Sequence, residues 1–223
     1  MKTIAKATLI LFVLCALAHA GDNVTGVKGV GIKLGFGYAT LSADIDNLFD
    51  RDSFGSGTFG AYLNYGLSPK LSLQPELLFV AKGEGGSFLR GRSWRHDYLE
   101  VPVLLKYCLL CDSKLKPSVY IGTAFSFLLS SEFKSSMFTD TKDTKDAMKS
   151  LDLSFVIGGA IDYRRFSLDI RYTIGMVDTY DAAEWNELVD AEDSSDLYYM
   201  PSGESVKNRY LSFTLGYRFW SAK

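Results

Sequence analysis

No stretch of this chain stays apolar for long enough to cross a bilayer as a helix. Such a helix needs about 20 consecutive apolar residues, and the run from Ala7 to Leu17 falls well short. Histidine is scarce, with only His19 and His96, and the cysteines are Cys15, Cys108 and Cys111. That is too few ligands for a His- or Cys-rich metal centre. Cationic excess is missing as well: 24 Lys and Arg stand against 26 Asp and Glu, which excludes the strong positive field on which nucleic-acid binding rests. What the chain has in quantity is apolar surface, 47% hydrophobic with 14% aromatic. This is too much for disorder, in a length that suits one domain.

Lys2 and Lys6 precede the short apolar run, and Ala18-His19-Ala20 follows it with the small-x-small pattern of a leader cleavage site. The expected organisation is a signal peptide over 1–20 and one domain over 21–223. Leu14 stands directly before Cys15, where a lipid-attachment site carries a small residue, so Cys15 reads as part of the leader. Loss of the two lysines takes the formal charge from −2 to −4.

The rest of the chain alternates with period two. Leu211, Phe213, Leu215, Tyr217 and Phe219 interleave with Ser212, Thr214, Gly216 and Arg218, which on a strand separates an apolar face from a polar one. Seven further segments read the same way. They start at Val30, Phe59, Leu71, Leu99, Val119, Leu151 and Phe166. Long connections (42–56, 83–96, 131–150, 177–206) alternate with short ones (68–70, 108–117, 164–165). The pattern predicts an all-β fold, an eight-stranded antiparallel up-and-down transmembrane β-barrel, with long loops outside the cell and short turns and both termini in the periplasm. Lipid cannot solvate a free N–H or C=O, so the last strand must close on the first. Tyr65, Tyr107, Tyr163, Phe166, Tyr217 and Phe219 fall at the turn ends of the outward faces, as an interfacial girdle. Pro75 and Pro102 predict a bulge or a lost ladder bond.

On the inward faces stand Lys33, Glu76, Lys82, Glu100, Lys106, Asp152, Asp162, Asp169, Arg171 and Arg218. An eight-stranded barrel is narrow enough to be filled by its own side chains, so these charges are expected to pair with one another in a polar interior network. A soluble lipocalin would reverse the pattern, burying the charge and exposing the apolar face.

The segments Gly66-Leu67-Ser68-Pro69-Lys70-Leu71-Ser72-Leu73-Gln74-Pro75-Glu76-Leu77-Leu78 and Tyr98-Leu99-Glu100-Val101-Pro102-Val103-Leu104-Leu105-Lys106-Tyr107 resemble the central strands of the PorT-like outer-membrane β-barrel family. The resemblance implies a small eight-stranded, porin-like barrel and allows a part in a secretion or envelope complex. Barrels of this kind often end on an aromatic residue read by the barrel-assembly machinery, whereas Ser221-Ala222-Lys223 follows Phe219 and Trp220 here.

Chemistry-bearing residues outside the strands are few. Cys108 and Cys111 share a short turn and either form a small disulfide or remain two thiols. They supply only half of a tetrahedral zinc site and lack the helix that a redox CxxC opens, so no metal, cofactor or catalytic residue is expected. His96, beside Asp97, reads as a solvated rim residue without an identifiable serine or acid partner. Arg90, Arg92 and Arg95 lie near Phe88 and Trp94, as lipopolysaccharide-phosphate ligands or as generic surface anchors. The acidic stretch 190–196 reads as a solvated loop, and Trp185, Leu188 and Val189 have the spacing of a short amphipathic helix over the barrel mouth. A salt-sensitive contact between this acidic loop and the arginines would lid the barrel. The function expected is a non-enzymatic outer-membrane scaffold whose loops bind a partner, lipid or surface. A narrow solute channel and a PorT-like envelope component are the alternatives.

Overall fold

In the computed structural model the described residues are 25–41, 54–85, 92–135, 141–143, 148–179 and 207–221, so the signal peptide expected over 1–20 lies outside them. Among the described residues chain order gives nine strands: β1 (Gly26–Leu41), β2 (Phe54–Gly66), β3 (Leu71–Gly85), β4 (Arg92–Cys108), β5 (Leu115–Ser135), β6 (Thr141–Asp143), β7 (Leu151–Tyr163), β8 (Phe166–Gly175) and β9 (Asn208–Trp220). The short β6 pairs with the far end of β5. The other eight form a closed antiparallel ring, because β4 pairs with β5 and β9 returns to β1 from Val30↔Trp220 to Leu41↔Asn208. Closure leaves the ladder no edge within the apolar belt, which is what hydrocarbon requires.

Exposure shows which face is which. Leu34 is 69% exposed while its neighbour Lys33 is 3% exposed, and the same contrast runs along β5, β7, β8 and β9. Apolar side chains turned outward in this density would be untenable in water; against lipid they are the solvent-matched surface. Neighbouring strands lock this surface with aromatic pairs, Phe36 on Phe213 at 5.7 Å and Phe59 on Phe79 at 5.1 Å between ring centroids. At the turn end Phe166 meets Tyr217 at 5.3 Å, with Tyr107, Tyr163 and Phe219 exposed at the same end.

Two departures from regularity have visible causes. The β3–β4 ladder is interrupted between Pro75↔Val103 and Leu78↔Glu100, the stretch that carries both prolines, neither of which has an N–H to donate. The Arg164-Arg165 turn joins the paired residues Tyr163 and Phe166, with Arg164 in the left-handed region at φ 54° and its guanidinium 5.3 Å from the Tyr163 ring centre.

The loop-end strands are longer than period-two reading allows. Segments 83–96 and 131–150, read as loops, are partly strand: β3 reaches Gly85, β4 starts at Arg92, and β5 continues to Ser135. Beyond the lipid both faces of a sheet can be polar, so pairing continues after the alternation has faded.

Candidate functional site

The lumen holds its charges in layers. In the middle layer Lys33 of β1 donates to Glu76 of β3 at 2.7 Å and to Asp169 of β8 at 3.1 Å. Arg171, also on β8, donates to the other oxygen of Glu76 at 2.8 Å. Gln74 adds a bond to Glu76 at 2.7 Å, and the Tyr120 hydroxyl from β5 donates to Asp169 at 2.8 Å. All four charged side chains are buried. Two cations balance two carboxylates, which lets the group persist at low dielectric, where an unpaired charge would cost several kcal/mol. Gly158 makes this packing possible, because a Cβ there would collide with the Tyr120 hydroxyl.

Toward the loop end, Lys82 pairs with Glu100 at 2.7 Å and lies 3.9 Å from Asp152. Ser126 donates to Glu100, Asn208 donates to Asp152, and the Tyr98 ring lies 5.1 Å from the ammonium. Buried apolar groups pack beside these charges, Leu104, Tyr120, Ala124, Val156 and Ala160 in one and Ala39, Leu78, Val80 and Tyr210 in another. Toward the turn end Lys106 pairs with Asp162 at 2.8 Å, and Arg218 engages the Tyr62 hydroxyl. The structure thus brings Lys33, Glu76, Asp169 and Arg171 into one cluster, Glu100 and Asp152 into a second around Lys82, and Lys106 with Asp162 into a third.

With this geometry in view, the likeness to known proteins is informative. Residues 28–181 match the family model described as outer membrane protein beta-barrel domain. The chain belongs to this family. No curated protein matches the chain. Among solved structures, Neisserial surface protein A aligns with a TM-score of 0.51 at 12% identity, over 87% of this chain and 99% of that one. Ail, the attachment invasion locus protein of Yersinia pestis, aligns at 0.44 and 12% identity, over 86% and 99%. OprG from Pseudomonas aeruginosa aligns at 0.40 and 15% identity, over 89% and 100%. The likeness to Neisserial surface protein A concerns the fold alone, and by its family the chain is an integral outer-membrane β-barrel protein.

One candidate residue of this outer-membrane barrel lies differently from its sequence reading. His96 is not a solvated rim residue: it is fully buried, with Nδ1 3.0 Å from the Ser131 hydroxyl. A bulge between Asp97 and Tyr98 resets the β4–β5 register and turns Ser131 inward, opposite to the parity that its odd number predicts. Arg95 is exposed and bonded to Asp97 at 2.9 Å. Arg90 and Phe88, together with the acidic stretch 190–196 and Trp185, Leu188 and Val189, lie outside the described residues, as do the side chains of Arg92 and Trp94. Cys108 and Cys111 are joined as a disulfide across the β4–β5 turn, with Cα atoms 5.6 Å apart.

Sequence reading missed Lys28. Its even number shares parity with the lipid-facing Ile32 and Leu34, yet the β1–β2 register shifts between Val27 and Gly29, and its ammonium turns to the carbonyl of Ser68 at 3.1 Å. Only the glycine flanking it hints at a bulge.

Proposed function

We propose that this protein is a closed, non-enzymatic mount whose loop end presents a binding surface outside the cell, with the turn end and both termini in the periplasm. The observation that carries the reading is the middle ion-pair layer, which ties β1, β3, β5 and β8 together across the lumen. A solute would have to break several buried, charge-assisted bonds to pass. The extension of β4 and β5 to Arg92 and Ser135 supports a presenting role, since a rigid sheet fixes the loops it carries. Arg90, Arg92, Trp94 and Arg95 would meet lipopolysaccharide at the outer interface, with Arg95 exchanging Asp97 for a phosphate. The barrel-assembly machinery is the partner during biogenesis.

The test combines heat-modifiable migration on a gel, which reports a folded barrel, with planar-bilayer conductance. A folded protein without current steps is the expected result. A steady, size-selective current overturns the closed-mount reading in favour of a narrow channel. The PorT-like strand segments support a different partner, an envelope or secretion complex, which co-purification under mild detergent would reveal.

A further inference from the structure

Charge in the lumen is not evenly compensated. The middle layer is neutral, and the loop-side layer has two carboxylates around Lys82. The turn-end mouth reverses this. A cavity of about 160 Å³ opens there, lined by Lys28, Lys70, Lys106, Lys116 and Arg218, with Asp162 the one carboxylate among the described lining residues. Asp162 is already taken by Lys106 at 2.8 Å. Lys28 gives a hydrogen to the neutral Ser68 carbonyl and feels Lys116 as a like charge. Arg218 engages the neutral hydroxyl of Tyr62. Lys28, Lys116 and Arg218 therefore converge on one opening whose carboxylate, among the described lining residues, is held by Lys106.

The backbone is shaped for this arrangement. A Cβ at Gly66 would collide with the Lys28 stem, and one at Gly29 would lie 2.6 Å from Cδ of Arg218. Two glycines thus make room for two cationic stems, and the Lys28 bulge turns its ammonium off the lipid-facing side of β1. The mouth has a floor, because the Lys33–Glu76–Arg171 layer closes the lumen beyond it. A blind, cation-lined pocket at reduced dielectric attracts anionic oxygens, those of inorganic phosphate more strongly than those of a singly charged phosphodiester.

We propose that the turn-end mouth is an oxyanion site that takes a phosphate group through Lys28, Lys116 and Arg218. The phosphate could be free in solution or carried by a phospholipid headgroup, and the experiment separates the two. Full-length processed protein, folded in zwitterionic detergent and checked by heat-modifiability, is titrated calorimetrically with inorganic phosphate, with chloride at matched ionic strength as control. A parallel arm compares binding heats of phosphatidylglycerol micelles with phosphatidylcholine micelles. Saturable binding of phosphate supports a soluble ligand, and a response confined to phosphatidylglycerol supports the headgroup.

In either case Lys116→Glu, at an exposed position, should weaken binding at least tenfold, because the new carboxylate occupies Lys28. Lys28→Met should weaken it severalfold while leaving the gel shift intact. Binding that chloride matches, that neither substitution alters, or that is absent in both arms overturns the proposal. None of these outcomes bears on conductance, so the closed-mount reading stands or falls separately.

Discussion

Glu76 is the residue on which the lumen turns, since it accepts from Lys33, Arg171 and Gln74 at once. Glu76→Ala should lower the unfolding free energy by about 3–5 kcal/mol, because it leaves two buried cations to share Asp169. Urea unfolding from lipid vesicles, followed by tryptophan fluorescence, would measure the loss. Removing a complete pair is a different perturbation. Lys33→Met together with Glu76→Leu keeps one cation and one carboxylate, Arg171 and Asp169, 4.0 Å apart, and should recover most of the stability lost in the single variant. A double variant no better than Glu76→Ala would show that the layer acts by packing and not by charge balance. His96 needs a similar revision. A buried imidazole bonded to Ser131 makes His96→Ala a destabilising change of about 1–3 kcal/mol, visible in the same urea titration, where a solvated rim histidine would give no shift. Parity could reveal that Lys33, Glu76, Asp169 and Arg171 face inward. It could not reveal which of them meet, because partners such as Lys33 and Asp169, 136 positions apart, depend on strand order and stagger around the ring.

At the scale of the strand, period-two alternation made the barrel legible because lipid and lumen impose opposite solvents on successive residues. β1 shows it plainly, with Ile32, Leu34 and Phe36 outside and Lys33 inside. Leu34 lies opposite Phe59 of β2 and Leu215 of β9, well inside the belt, so Leu34→Arg should cost about 2–4 kcal/mol. The same substitution at Leu67, in the β2–β3 turn beyond the belt, should cost about 1 kcal/mol or less. Equal losses at both sites in vesicle unfolding would mean that the outer face does not contact hydrocarbon. Where the two-solvent constraint ends, legibility ends too. The outer parts of β4 and β5 carry Arg95, Asp97, Ser130 and Glu132 without a clear apolar face, so sequence alone reads them as loop. Bulges add a second failure. At Lys28 on β1 and at Leu129 on β5, opposite Asp97 and Tyr98, one extra residue resets the register, and its place is set by the partner strand, which local composition does not encode.

For the whole molecule the controlling length is the height of the apolar belt. On β5 the outward face stays largely apolar from Val119 to Leu129, a strand length of about 34 Å at about 3.4 Å per residue. At a tilt of about 40° this gives a belt of about 26 Å, close to the band of an outer-membrane barrel and below the roughly 30 Å of an average hydrocarbon core. A bilayer thicker than the belt must thin around the barrel or bury the polar ends of its strands, at a cost that grows with each ångström of mismatch. The barrel cannot escape by tilting, which relieves only a belt that is too long. Refolding from urea into vesicles of graded acyl-chain length, scored by the heat-modifiable fraction, should therefore be most complete with a core near 26 Å and should fall as the core exceeds about 30 Å. The ion-paired lumen sharpens this dependence. Two of its bonds, Lys33 to Asp169 and Arg171 to Glu76, join β1 and β3 to β8 and form only once β9 has closed on β1, so a partly inserted sheet would leave Asp169 and Arg171 without those partners. Thick bilayers would hold the chain in that uncompensated state for longest. A yield indifferent to acyl length would place the apolar face somewhere other than hydrocarbon.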